Sequence, residues 1–488
     1  MFKKEQLATF LDSENISNAV STLEQFAGDL SFANAVRPSL VVKPRDTEEV
    51  ENIVKLANES GTPLVPVSSG TPHFRGDTVP SVAEAAIVDL SGMKKIIRVD
   101  RQNRVAMCEA GVTFGEMIAA LSEKGLRLNM PLLPRRTKSV VASMLEREPV
   151  LMPKYHWDIS DPLACMEVVF GTGDLFRTGE AAGPGTVEEQ WANGGAQKEA
   201  AGPSAMSWHR VIQGAQGTMG IVTWASMRCE IMPQREEPFW VTSSDLGTLI
   251  DMAQSLIKLR LINECFILNH VNLATIAAQA SREELDNFKE SLAPWILFFN
   301  IAAYDYLPEL RVEGQIKDMR DLAQRLGVEP QRALGSLSAW EFLALVQSPC
   351  AEPYWKLRYN NNCQDIFFIT TCAQLTKLIE VMNSAAVSAG YPLSEIGAYI
   401  QPIVQGVNYH CEFNLPFDSH NPVETEKVRH LTTAATRSLL EHGAHFSRPY
   451  ANTTSMIFNR DAGTVWALKK VKAILDPNGI MNPGKLCF

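Results

Sequence analysis

The chain has 488 residues, 45% hydrophobic and 20% charged, with a formal net charge of -10. That length exceeds one ordinary core, so two or three domains are expected. The acidic balance argues against a nucleic-acid partner, which would want a basic face. No run reaches the roughly 18 uncharged apolar residues of a membrane helix.

The first residues hold no signal-peptide core, because acids and amides interrupt every apolar run. The nine cysteines are scattered without a CxxC pair. Free buried thiols and a cytoplasmic chain are therefore expected, with no structural zinc.

Residues 1–35 read as one or two surface helices. Leu40-Val41-Val42 is a short strand, and Asp46 stands at capping-box distance from Glu49. Val50, Ile53, Val54 and Ala57 follow at helical spacing, and Gly61 closes the helix. Leu64-Val65-Pro66-Val67 returns as a strand. Its carboxyl end opens into the loop Ser68 to Asp77, where ligands favour α/β sheets. Further strands are Ala86 to Asp89, Ile96 to Val99 and Val105 to Glu109. Thr113 and Glu116 cap a helix that stops at Gly125.

An irregular region rich in proline and arginine runs from Asn129 to Asp158. Val168-Val169-Phe170 is a strand, Gly171 to Asp174 a turn and Leu175-Phe176-Arg177 the return strand. Residues 180–204 read as a long loop. The run Gln213-Gly214-Ala215-Gln216-Gly217-Thr218-Met219-Gly220-Ile221-Val222-Thr223 then feeds into an apolar strand. Glycine permits positive φ and close backbone approach, which suits a flat or phosphorylated ligand. Alone, a glycine cluster is more often a plain turn.

After Pro233 longer apolar helices alternate with strands. Pro294 to Phe299 reads as a buried strand, as do stretches at Asp365 to Ile369, Ala398 to Gln401 and Tyr409 to Phe413. A long helix covers about Val423 to Glu441 and a shorter one Val465 to Ile474, before Asp476-Pro477-Asn478-Gly479.

Three motifs in this order resemble the vanillyl-alcohol oxidase family of FAD enzymes, also called the p-cresol methylhydroxylase (PCMH) family. They are the first strand-helix-strand with its loop Ser68-Ser69-Gly70-Thr71, the Gly171-Thr172-Gly173-Asp174 turn with the glycine run, and the tail Asp476 to Lys485. The resemblance covers about residues 36–233 and 390–488. It implies an α+β fold, with a split two-subdomain PCMH-type FAD-binding domain and an antiparallel-sheet cap that shapes the substrate pocket. The boundaries expected are N-terminal helices at 1–35, the FAD domain at 36–233, the cap at 234–450 and a C-terminal return at 451–488.

The resemblance also distributes roles. Pro66, Ser68, Ser69, Gly70 and Thr71 would form a phosphate nest with hydroxyl donors. Gly214, Gly217, Gly220 and Ile221 would lie along the flavin or adenine. Asn482 and Lys485 would place an amide and a cation near the flavin. Some members attach FAD through a histidine in a pattern similar to Gly70-Thr71-Pro72-His73; non-covalent FAD is the expectation here. The family's second glycine-rich phosphate loop is replaced by Pro134 to Ser143, which has no glycine. Thr137 and Ser139 are its candidate phosphate contacts, unless the loop has lost them.

In the cap half His410 and Glu412 share one face of a strand. His410 is the candidate base for a hydroxyl proton, with Glu412 beside it; a buried, satisfied histidine is the bland alternative. Glycolate- and lactate-type relatives hold a metal with a motif similar to His-x-x-Gly-Asp-Gly-Asn-x-His. Pro402 to His410 keeps only the asparagine and the last histidine, so no metal is expected. Arg448 and Tyr450 look like the phenol-oxidising branch, where an arginine and tyrosines bind an oxyanion. Arg358, in the cationic-aromatic cluster Pro353 to Tyr359, is the other candidate for binding a substrate anion. A cation–π-packed surface helix is the alternative for that cluster.

The expected activity is an FAD-dependent oxidoreductase that takes a hydride from a hydroxyl-bearing or phenol-conjugated carbon of a small molecule. Oxygen or an electron-accepting protein subunit would receive the electrons, and a homo-oligomer is open. The runners-up are a 2-hydroxy-acid dehydrogenase and a flavin-bearing or flavin-free scaffold subunit.

Overall fold

The computed structural model describes residues 2–153, 162–202, 207–278 and 281–488. The ends of two expected irregular stretches, 154–158 and 203–204, lie outside the described residues.

Helix Thr47–Ser60 begins where the Asp46 carboxylate accepts from the Glu49 N–H, and stops at Gly61, whose φ is 64°. Its stripe of Val50, Ile53, Val54 and Ala57 is fully buried against a four-stranded sheet. The strands run in the order Ile16–Ser17, Leu40–Val42, Ala86–Asp89, Leu64–Val67, and the last three are parallel. The N-terminal residues hold two short helices, Lys4–Leu7 and Val20–Glu24, and add an edge strand and core contacts that were not expected. Ile16 and Ser17 pair with Val42 and Val41, and Leu7, Leu11 and Ile16 join the core. The edge of a parallel sheet needs such cover.

A second sheet is antiparallel throughout, in the order Ile96–Asp100, Val105–Glu109, Gly220–Arg228, Leu163–Phe170, Leu175–Arg177. The glycine run therefore leads into its central strand, buried on both faces except at Arg228. The stretch expected as a loop at 180–204 contains helix Val187–Ala192, opened by a Thr186–Glu189 capping box. That Thr-x-x-Glu signal was present in the sequence.

The third sheet has six antiparallel strands: Arg235–Ser243, Trp295–Ala303, Cys265–Asn269, Gly397–Ile403, Asn408–Phe417 and Asn362–Thr371, in spatial order. Alternation divides its faces. Ile366, Phe368, Ile400, Tyr409, Cys411 and Phe413 pack on helices Leu246–Lys258, Pro308–Leu326, Cys372–Ser388 and Pro422–Glu441. The intervening Asp365, Tyr399, Gln401, His410 and Glu412 point the other way. No helix among the described residues is long and apolar enough to cross a membrane.

Helix Ala462–Leu475 then carries the chain back to the first two sheets. The Leu64 N–H donates to the Ile480 carbonyl at 2.7 Å, and the Asn482 N–H donates to the Leu64 carbonyl at 2.8 Å. Lys472 secures this return. Its ammonium donates to the Thr218 carbonyl at 2.5 Å and to the Met481 carbonyl at 2.9 Å, and pairs with Asp476. Asp476 in turn accepts from the Ile480 and Met481 N–H groups.

Replacing Lys472 by Met would leave the fully buried Asp476 carboxylate without its cation. Loss of one partner of such a pair costs about 3–5 kcal/mol. The chemical-denaturation midpoint should fall accordingly, and an unchanged midpoint would contradict the role given to this pair.

Candidate active site

The three sheets border one open cavity with about 1720 Å³ of empty space. Pro66, Ser68, Ser69 and His73 line one wall. Gly214, Gly217, Gly220 and Ile221 line the facing wall. The far end is closed by the third sheet through Asp365, Tyr399 and Glu412, joined by Tyr354, Lys356, Arg448 and Tyr450.

The glycines earn their places by close approach. A Cβ on Gly217 would lie 2.4 Å from Pro66 Cγ, and its φ is +70°. A Cβ on Gly220 would lie 2.5 Å from the Val169 carbonyl oxygen, and one on Gly214 2.9 Å from Arg147. Missing side chains thus let the two walls meet as well as face the cavity.

The glycine-free loop is used differently from the expectation. Arg135 donates to the Gly70 carbonyl at 3.0 Å and to Thr137 Oγ1 at 3.3 Å, and its guanidinium lies 5.3 Å over the Phe74 ring. The Gly70 N–H donates to the Thr137 carbonyl at 3.2 Å. Ser139 caps helix Val140–Leu145 and donates to the Ala110 carbonyl at 2.6 Å. Gly70, Thr71, Thr137 and Ser139 do not line the cavity; Arg135 and Lys138 do. A loop without glycine keeps its backbone further off and presents long side chains instead.

Asn482 and Lys485 are also turned from the cavity. The Asn482 amide donates to the Asp77 carbonyl at 2.9 Å and to the Gln216 carbonyl at 2.7 Å. It ties the first loop to the glycine run. The Lys485 ammonium donates to the Val79 carbonyl at 2.7 Å.

At the far end, Lys356 pairs with Glu412 and Asp365, each at 2.6 Å. Asn414 donates to Asp365 at 2.7 Å and to Glu412 at 2.8 Å. Burial and the neighbouring Glu412 push the Asp365 carboxyl up, whereas Lys356 and the His410 hydrogen bond hold Glu412 down against its burial. His410 stands behind this group. It is 2% exposed, lies 3.3 Å from Glu412 and does not line the cavity. Burial lowers its pKa, so a neutral ring donates to Glu412.

Arg358 is not brought to the site. It donates to the carbonyls of Ile276 and Ala278, at 2.9 and 3.2 Å, and so caps helix His270–Ala277. Arg448 is brought there. It is 6% exposed, lies 4.4 Å over the Phe367 ring, and borders the cavity beside Tyr450. Among the described residues no carboxylate lies within salt-bridge distance of it, although Arg75 nearby pairs with both Glu146 and Glu148. Burial pushes the Tyr354, Tyr399 and Tyr450 phenols up, leaving them protonated donors.

Sequence reasoning missed Asp365, Tyr399 and Arg75, and in the cluster Pro353 to Tyr359 it singled out Arg358 rather than Lys356. One signal was available: an acid at Asp365 opening an apolar strand must face a cavity or a cation. Nothing local marks Arg75, whose partners lie 71 and 73 residues away.

Residues 38–179 match the family model of the FAD binding domain, and residues 417–486 match that of the C-terminal domain of FAD linked oxidases. The 4-cresol dehydrogenase [hydroxylating] flavoprotein subunit of Pseudomonas putida is 23% identical, covering 92% of this chain and 87% of its own. D-lactate dehydrogenase [cytochrome] of Arabidopsis thaliana is 25% identical, over 93% of this chain and 75% of its own. D-2-hydroxyglutarate dehydrogenase of Stutzerimonas stutzeri is 22% identical, over 99% and 98%. Among solved structures, p-cresol methylhydroxylase with substrate bound superposes with a TM-score of 0.85 at 19% identity, covering 99% of this chain and 96% of that one. The 4-ethylphenol oxidase of Gulosibacter chungangensis gives 0.83 at 19% identity, with the same coverage.

The chain belongs to the PCMH-type FAD-linked oxidase family. This FAD-linked oxidase is accordingly an FAD-dependent oxidoreductase. Its cavity fits the cofactor. The walls meet through glycines whose Cβ atoms would collide, and the buried His73 Nε2 on the lining has no hydrogen-bond partner among the described residues. Ser68, Ser69, Arg135 and Lys138 are the lining donors suited to hold its phosphates.

Burial, then Arg135, pulls the His73 pKa from 6.5 to about 4. A neutral buried histidine stabilises the fold fully above its unfolded pKa, and that stability drains as pH falls toward the folded value. The loss amounts to about 3 kcal/mol. Asp77, raised to about 6 by burial and Glu146, works in the opposite sense as pH falls below that value. The His73→Gln variant isolates the first effect. Its melting temperature should fall less than that of the native chain between neutral pH and about pH 5; equal falls would contradict the buried neutral ring.

Proposed function

We propose that this FAD-linked oxidase removes a hydride from an alkyl carbon conjugated to a phenol. The observation that carries the reading is Arg448, a buried guanidinium at the cavity without a carboxylate partner among the described residues, next to the Tyr450 hydroxyl. A free phenol ionises near pH 10. A guanidinium and a phenolic donor stabilise its oxyanion, and the oxyanion's charge, delocalised through the ring, weakens the C–H bond on the conjugated carbon. Bound FAD supplies the hydride acceptor.

Glu412, held ionised and facing the cavity, is the base that takes the phenolic proton. His410, assigned that role from sequence, is instead the positioning residue that fixes the Glu412 carboxylate. Tyr354, Tyr399 and Phe74 give the chamber an aromatic lining suited to a ring. The phenol-oxidising proteins among the similar structures support this class. The electrons pass to oxygen or to a partner protein; the Pseudomonas putida relative is itself the flavoprotein subunit of its dehydrogenase.

A second reading, a 2-hydroxy acid, is supported by the lactate and hydroxyglutarate dehydrogenases among the relatives. Arg448 would then bind the carboxylate. Anaerobic mixing separates the two. We expect p-cresol to bleach the flavin absorption and D-lactate to leave it unchanged, with Arg448→Met slowing the bleaching by about 100-fold. Bleaching by D-lactate alone would favour the hydroxy acid, and bleaching by neither would sink the phenol reading.

A further inference from the structure

We propose that Lys356 and Asp365 form a proton exit that carries the substrate's hydroxyl proton from Glu412 to a second cavity. The inference rests on the reading of Glu412 as the base. That carboxylate is buried, so each turnover leaves it protonated unless the proton has a way out.

The second cavity holds about 660 Å³ of empty space. Ser31, Thr432, Thr436 and Thr453 supply hydroxyls to it, and the exposed Ala451 on its lining opens it toward solvent. It has room for water-sized molecules beside those hydroxyls. Five residues border both cavities: Phe74, Arg75, Asp365, Arg448 and Tyr450. Phe74 has no proton to give, and a guanidinium does not release one in a protein. The Tyr450 phenol is pushed up by burial. Asp365 is the one carboxylic acid among them, the group type able both to take a proton and to release it to water.

Asp365 is already joined to the base. Lys356 Nζ lies 2.6 Å from Glu412 Oε1 and 2.6 Å from Asp365 Oδ2. Asn414 donates to both carboxylates and fixes them around one ammonium. Cys363, Arg75, Tyr354, Tyr399, His410 and Arg448 also act on this cluster. The step balances as a simple relay. The substrate O–H bond breaks and Glu412 gains the proton. Asp365 and Glu412 hold the Lys356 ammonium firmly charged, so the shift is concerted: it gives one proton to Asp365 as it takes the one on Glu412 and is never left neutral. Asp365 then releases its proton to water in the second cavity, and all three groups return to their starting charge. Burial and Glu412 raise Asp365 while Lys356 holds Glu412 low, so the shared proton is drawn outward.

The test uses the FAD-loaded full chain and an Asp365→Asn variant, which keeps size and hydrogen-bonding capacity. In anaerobic stopped flow with p-cresol, flavin absorbance follows reduction and an indicator dye follows proton release. In the native chain the two should keep pace. In Asp365→Asn release should lag behind reduction by about 100-fold, and Asp365→Glu should restore it. Infrared titration without substrate supplies the second readout: a carboxyl C=O band that appears on acidification should be missing from Asp365→Asn. Release that keeps pace in Asp365→Asn, or an unchanged infrared band, would overturn the exit. Failure of p-cresol to bleach the native flavin would instead strike the phenol reading, and the infrared arm would still decide on Asp365.

Discussion

The cavity depends on how the C-terminal tail clasps its two walls. Lys472, Asp476 and Asn482 come from one short segment, yet they reach Thr218, Gln216 and Asp77 in both walls. A hydrogen-bonded amide and a buried ion pair hold such contacts in one geometry, because an unmet buried group costs more than the bond contributes. Gly217 and Pro66 then meet at a distance that no side chain permits. Wall separation is therefore set by the protein, and the cofactor enters a slot already shaped for a flat, extended molecule.

The far end of the slot is set by sheet alternation. One face of the six-stranded sheet is an apolar core, and the other carries Asp365, Tyr399, His410 and Glu412 in register, since Glu412 pairs with Tyr399 on one side and Phe367 on the other. This places two carboxylates around one lysine. It leaves Arg448, inserted from the loop after the long helix Pro422–Glu441, as a cation free to meet an anion. Lys356 answers Glu412 and Asp365, and a substrate oxyanion would supply the charge partner that Arg448 lacks among the described residues. Desolvation makes that complementarity stronger than it would be in water.

Much of the frame was legible in the sequence. Capping boxes and helical spacing located helices Thr47–Ser60 and Phe114–Ser122, and period-two alternation put His410 and Glu412 on one face. Of the three motifs that resembled the family, the first loop and the glycine run face each other across one cavity, and the tail ties them together from behind. Their individual residues were less legible, for a physical reason. Asn482, Lys485, Thr137, Ser139 and Gly70 are polar groups whose partners turned out to be backbone, and a sequence does not show whether a donor meets a ligand or a carbonyl. Arg358 failed in the same way, becoming the cap of a helix 80 residues earlier. Arg75 was invisible because its ion pairs join distant segments, and Lys356 was seen only as a member of the cluster Pro353 to Tyr359, without its acidic partners. The N-terminal residues do hold two short helices, Lys4–Leu7 and Val20–Glu24, but an edge strand as short as Ile16–Ser17 leaves no periodic pattern to read.

The central claim is that Arg448 stabilises a phenolic oxyanion beside the flavin. Phenol itself tests it most directly, because it has no alkyl carbon to oxidise and its ionised form has a distinct ultraviolet absorption. Titrated into the FAD-loaded protein at neutral pH, well below its free pKa of about 10, it should bind as phenolate, and the phenolate difference spectrum should vanish in Arg448→Met. Binding as the neutral phenol, or a phenolate spectrum that survives loss of Arg448, would contradict the account.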